Sequence, residues 1–396
     1  MDRRGSIFGV AVVGALLVLA AIASVETVRA THTTDFECFR TAAAFLLDGR
    51  DPYDETAWRA ATAGMSADRY GMLRPPPCPG RFGYPLWTAL LLVPLAALPV
   101  SVAAALWQVL LLVGVVVGAA LAWRAVGGRS RSWPTFAAVV LTSLPFWQLL
   151  IVAQFGGVML PLVGAIAFAL RTRRDVTGGV ALAALAIKPH VVFLVPLVPI
   201  ITAWQRGAPR TILVALVGVL VLLVGSVAVR PAWLVEWLAE LVGRRSEIAA
   251  ASPTVWVLAA HGLGDARYGF VIVAACFILF AILVRGISLD VVSAVAIATV
   301  ASLILSPYIA VHDEVTLALL WAKSLAVALA LTGPRQALLA LGVVACAGLL
   351  PWALDAYERL ISGDESASAV IPLASLLLLG AALRSEADGR PRAPAP

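Results

Sequence analysis

Residues 7–54 read IFGVAVVGALLVLAAIASVETVRATHTTDFECFRTAAAFLLDGRDPYD. The first half is an apolar run of about twenty residues from Ile7, the length a helix needs to cross a bilayer core. A secretory leader has a shorter apolar core, about 7–15 residues, and a small-residue cleavage site. With Arg3 and Arg4 in front of it, the run is read as a retained span whose amino terminus is cytoplasmic. Asp35 therefore stands at the mouth of a span, where an unpaired charge is costly and more often functional than incidental. The bland alternative is a solvated loop residue near a helix end.

The remaining sequence extends this reading. Of 396 residues, 61% are hydrophobic and 13% charged, against about 25% charged in a soluble domain. Mean hydropathy is +0.94, and the apolar residues come in long blocks separated by Arg-rich or Pro-rich joints. The expected fold is an all-α polytopic membrane protein, a bundle of about 12 segments with some re-entrant. One domain covers residues 1–385, with large external loops at 29–83 and 230–268 and a disordered cytoplasmic tail at 386–396. The formal charge of +6 comes from Arg residues scattered at segment ends, which are topology signals rather than a nucleic-acid face.

In the first loop, Thr41–Leu47 predicts a short surface helix, stopped by Asp48-Gly49 and the turn Asp51-Pro52-Tyr53-Asp54. Arg74 to Pro85, RPPPCPGRFGYP, is too rich in proline for a helix interior and forms an irregular strap. If this loop faces an oxidising compartment, Cys38 and Cys78 can pair as a disulfide. Apolar blocks follow at 84–99, 101–123, 134–152 and 155–170. Counting each as a full span puts Arg124, Arg129, Arg131, Arg171, Arg173 and Arg174 outside, against the positive-inside tendency. Either 84–99 is re-entrant, or these Arg residues serve an anionic ligand; both accounts keep Arg206 and Arg210 inside.

The segment 177–204 is broken by Lys188-Pro189-His190, and a Lys at that depth is either a site residue or one that snorkels to an interface. Trp233, Trp237 and Trp256 suit an interfacial helix, with Glu236, Glu240, Arg244, Arg245 and Glu247 on its solvated face and His261 in a loop. Further spans are expected at 269–284, 287–305, 314–331, 335–352 and 369–384. Ser306-Pro307 followed by His312-Asp313-Glu314 falls on the same face as Asp35. It offers a titrating imidazole beside carboxylates, or the acidic start of the next helix.

Taken in order, these pieces resemble the polytopic glycosyltransferase family 87, of the GT-C fold. The resemblance rests on Asp35-Phe36, Ala42, Leu46-Leu47, Gly49 and Asp51-Pro52-Tyr53-Asp54, then Tyr84-Pro85-Leu86, Gln154, Arg173-Arg174, Gly179, Lys188-Pro189, Ser306-Pro307 and His312-Asp313. Phe39 departs from it where an aromatic hydroxyl is usual, Ala153 where glycine is common, and Ala310 where a Trp often precedes the His. The resemblance implies a bacterial enzyme that moves a sugar, typically mannose, from a polyprenyl-phosphate carrier to a glycolipid or polysaccharide acceptor at the external membrane face.

Such a transfer needs a base for the acceptor hydroxyl, and Asp35 suits because it faces water at the membrane surface. It needs donors or cations for the departing phosphate, for which His312 and Lys188 are the candidates. Tyr53, Asp54, Gln154 and Asp313 are the candidate substrate contacts. Direct attack by the acceptor inverts the anomeric centre. The lipid-linked sugar is a co-substrate and no cofactor is expected; a divalent ion at Asp35 stays open. No Gly-rich phosphate loop is present, which argues against ATP. The expected partners are this donor, the acceptor and membrane lipids, with no nucleic acid. A lipid flippase or secondary transporter, or an inactive assembly scaffold, is the competing reading.

Overall fold

The computed structural model describes residues 3–65, 81–207, 209–243, 252–362 and 365–389. Among them every regular element is helical. The first are α1 (Arg3–Arg29), α2 (Asp35–Leu47), α3 (Glu55–Thr62), α4 (Leu86–Ala96) and α5 (Val100–Ala125). Next come α6 (Trp133–Thr142), α7 (Leu144–Val152), α8 (Gly156–Thr172), α9 (Asp175–Ala184), α10 (Leu197–Arg206) and α11 (Arg210–Val229). The chain closes with α12 (Trp233–Gly243), α13 (Val255–Leu263), α14 (Tyr268–Val284), α15 (Val291–Leu305), α16 (Ala318–Ala330), α17 (Pro334–Ser362) and α18 (Val370–Gly389).

Five of these are long and apolar enough to cross a membrane: α1, α5, α11, α17 and α18. The number rises to seven if the bent pairs α6/α7 (58°) and α13/α14 (120°) each count as one span. A polytopic all-α membrane fold is therefore present, with several expected segments broken or short. The block 134–152 bends at Ser143, whose backbone is extended (φ −70°, ψ 141°) and precedes a helix with Pro145 in its first turn, a position where the missing N–H of proline costs nothing.

The packing of α5 against α8 sets the direction of the bundle. A Cβ added at Gly114 would lie 2.0 Å from the Gly157 carbonyl oxygen, and one at Gly118 would lie 2.6 Å from the Pro161 nitrogen, so small residues let the two backbones touch. Trp107 Nε1 donates to the Ala153 carbonyl (2.8 Å) near one end of the pair. Arg171 donates to the carbonyls of Arg124 (3.3 Å) and Ala125 at the other. The helices are thus parallel, and both Arg-rich joints lie at the end away from Asp35.

Arg206 joins them by donating to the Leu170 carbonyl (3.2 Å), and the amino half of α1 reaches the same end, where Gly9 faces Pro134. Tyr84 and the start of α5 both belong to the Asp35 end, so α4 returns to the side it came from. Of the two accounts of 84–99, the re-entrant one fits.

Other expectations are corrected. The surface helix begins at Asp35 rather than Thr41, because Asp35 and Glu37 in its first turn favour the positive end of the helix dipole. Trp233 is buried against Trp87 (4.9 Å between rings) instead of lying at an interface, and Trp237 Nε1 donates to the Gly83 carbonyl (3.3 Å). Glu240 is buried rather than solvated, 3.6 Å from Arg81. His261 sits in the last turn of α13, not in a loop. The helix α18 runs to Gly389, four residues into the expected tail; residues 390–396 lie outside the described residues. So do Cys78, the proposed partner of the buried, disulfide-bonded Cys38, and Arg244, Arg245, Glu247 and the strap up to residue 80.

Candidate active site

Between α7 and α8 the chain turns through Ala153, whose left-handed backbone (φ 56°, ψ 46°) is the conformation that favours glycine. The turn swings Gln154 in front of α8. Its Nε2 donates to Asp35 Oδ2 (2.8 Å) and to the Tyr84 hydroxyl oxygen (3.1 Å), while the Phe155 N–H donates to Gln154 Oε1 (2.9 Å). The amide is therefore held from both ends. Asp35 itself is half-buried as the first residue of α2. Phe39, one turn along α2, packs edge-on against Tyr84 (5.1 Å between rings) and closely on Phe155 (4.5 Å), walling the cluster on its apolar side.

The second cluster forms where the helix stops after α9. Lys188 is 1% exposed, which rules out snorkelling. Its Nζ donates to Asp313 Oδ1 (2.5 Å) and lies 3.5 Å from His312 Nε2. A buried ammonium requires such a partner. Asp313, in the tight helical turn Val311–Leu317, also accepts from the Ala310 N–H (3.2 Å), so it serves both as counter-ion and as the cap of that turn. Glu314 points elsewhere: it is wholly buried and neither of its carboxylate oxygens has a hydrogen-bond partner among the described residues.

The two clusters adjoin. A Cβ added at Gly156 would lie 2.8 Å from the His312 carbonyl oxygen, so the glycine lets the Val311–Leu317 turn press against the start of α8, next to Gln154. Tyr84 senses both sides. Burial, with the Tyr308 phenol and the Asp35 and Asp313 carboxylates nearby, holds its hydroxyl well above the ordinary phenol range, and it stays protonated.

Of the residues singled out by sequence, the structure brings Asp35 to Gln154, and Lys188 to His312 and Asp313. Tyr53 and Asp54 are not in this group. Tyr53 is buried with its hydroxyl donating to the Tyr84 carbonyl (2.7 Å), and Asp54 accepts from the Ala57 N–H (3.0 Å) as the cap of α3. Two residues escaped the sequence reading, one in this group and one outside it. Tyr84 was visible only as part of a Tyr-Pro pair opening a segment. Arg230, which pairs with Asp51 (2.5 Å) and Glu236 (2.6 Å), carries no local signal for a partner 179 residues away. Among the described residues no group of three or more His, Cys, Asp or Glu side chains is placed to hold a metal ion.

The family model for glycosyltransferase family 87 matches residues 82–307, more than half of the chain. The matched region contains Tyr84, Gln154 and Lys188. It stops short of Asp35 at one end and of His312 and Asp313 at the other. No curated protein matches the chain.

Proposed function

This chain belongs to glycosyltransferase family 87, and from that premise we propose that it transfers a sugar, mannose in our reading, from a polyprenyl-phosphate carrier to an acceptor hydroxyl with inversion, Asp35 acting as base. The observation that supports this reading most is the junction of the two clusters: a carboxylate oriented by a neutral amide, set against a buried Lys–His–Asp group. In the proposed step the acceptor oxygen attacks the anomeric carbon as its proton passes to Asp35. The bond from that carbon to the phosphate oxygen breaks, and the electron pair leaves with the phosphate.

Lys188 has three N–H donors and gives one to Asp313, so it can still meet a phosphate oxygen, with His312 beside it. Donors fixed where charge develops usually contribute most to such catalysis. Gln154 keeps Asp35 in position without cancelling its charge. Asp313 is a positioning residue for Lys188 in this scheme, and Tyr53 and Asp54 lie outside the reacting centre.

We place the site on the external face of the cell membrane. The support is the gathering of Arg124, Arg171 and Arg206 at the opposite end, where positive joints belong to the cytoplasm. A single catalytic domain from residue 1 to 385 with cytoplasmic termini completes the proposal, and the acceptor is a glycolipid or polysaccharide. The test is Asp35→Asn in the purified full chain. Transfer from a polyprenyl-phosphate mannose donor should fall by about 10²–10⁴-fold with unchanged thermal unfolding. Undiminished transfer would remove Asp35 as the base, and lipid movement across reconstituted vesicles without product would favour a flippase.

A further inference from the structure

Beside the Asp51–Asp54 turn lies an open surface cavity of about 580 Å³, a volume inside the range of about 300–1,000 Å³ of small-molecule sites. It is lined by Asp51, Asp54, Glu55, Thr56, Arg59 and Arg81, together with Tyr53. Three carboxylates and two guanidinium groups alternate there: Glu55 pairs with Arg59 (2.5 Å) and with Arg81 (3.1 Å), and Asp51 is held by Arg230 (2.5 Å). With Arg230 counted, three carboxylates face three guanidinium groups, so the wall has no net positive charge to hold a free phosphate. A wall this polar gives an acyl chain nothing to bury against. A polyhydroxylated ligand, in contrast, presents donors to the carboxylates and acceptors to the guanidinium groups at once.

The cavity is also wired to the catalytic cluster. Tyr53 donates to the Tyr84 carbonyl, the Tyr84 hydroxyl accepts from Gln154, and Gln154 donates to Asp35. Resting on the glycosyltransfer reading above, we infer that this cavity is the subsite for the glycan end of the acceptor. It holds sugar units beyond the one that carries the reacting hydroxyl. A glycolipid head group and a soluble polysaccharide end offer the same hydroxyls to it.

The test measures binding directly and so does not depend on turnover. Saturation-transfer NMR of the full chain in lipid nanodiscs is recorded with mannobiose, with octyl mannobioside and with inorganic phosphate as probes. Saturable binding of mannobiose is expected if the natural source is a soluble glycan, and of the octyl glycoside alone if it is a glycolipid; either supports the subsite. Thr56→Trp, which fills the cavity from an exposed position on α3, should weaken that binding about tenfold or more, equivalent to losing roughly one charge-assisted hydrogen bond. Arg59→Gln should weaken it in the same direction and serves in place of Thr56→Trp if the latter lowers the melting temperature.

Binding is read here without turnover, and the base is tested separately by transfer in Asp35→Asn, so a failure of the subsite is distinct from a failure of the proposed base. Absence of saturable glycoside binding, glycoside binding that neither variant alters, or saturable phosphate binding in its place would overturn the inference.

Discussion

Gln154 Nε2 lies 2.8 Å from Asp35 Oδ2, joining residues 119 positions apart. An amide can orient a carboxylate without neutralising it, whereas a Lys or Arg in the same place would hold the carboxylate in its charged form and blunt it as a base. Gln154→Leu should lower kcat about 10–100-fold, from the loss of a charge-assisted hydrogen bond worth about 1.5–3 kcal/mol. Steady-state kinetics beside thermal unfolding check this: a loss of kcat with little change in melting temperature is the expected pattern, and unchanged kcat would mean the contact is not part of the machinery.

Lys188 and Asp313 stabilise the fold only as a pair. Lys188→Met leaves the Asp313 carboxylate buried beside an apolar group, at a cost of about 3–5 kcal/mol, and should depress the yield of folded protein. Adding Asp313→Leu should restore much of that yield while sugar transfer stays absent. If the single variant folds as well as the double, the ion pair contributes little.

Tyr84 gives the protein an alkaline limit. Its folded-state pKa is raised above the unfolded phenol value of about 10, so its contribution to stability is complete below pH 10 and is lost as the pH climbs past that value. Melting temperature should therefore fall above about pH 10, and Tyr84→Phe should lessen the fall. Superimposable curves for the two proteins above pH 10 would remove Tyr84 from the effect.

Gly114→Ala places a methyl 2.0 Å from the Gly157 carbonyl, too close for either backbone to tolerate without moving. It should destabilise the bundle by about 1–3 kcal/mol or more, the usual range for overpacking, and displace Gln154 with the start of α8. Gly14→Ala, where nothing lies within 4 Å of the added carbon, is the control and should unfold like the native protein.

The membrane class was plain in the sequence because apolar runs near twenty residues admit few other readings. Asp35 and Lys188 were also legible, each being a charge at an apolar boundary or break. What stayed hidden was partnership. Asp54 and Asp51 are acidic residues in one turn, and sequence cannot say that one caps a helix and the other holds Arg230. The direction of α4 was equally hidden, since an apolar helix of eleven residues looks alike whether it crosses or turns back. Ala153 shows the reverse case: a departure from the family pattern marks a backbone turn that glycine would enter more easily, and only the dihedral angles reveal why.

The residues of the candidate site are spread from Asp35 to Asp313, each brought in by a different stretch of the chain. During synthesis Asp35 is made early and Asp313, the counter-ion of Lys188, late. A nascent chain halted before residue 312 therefore carries Lys188 without either of its two partners, His312 and Asp313. The candidate site is complete only when nearly four-fifths of the chain has been made.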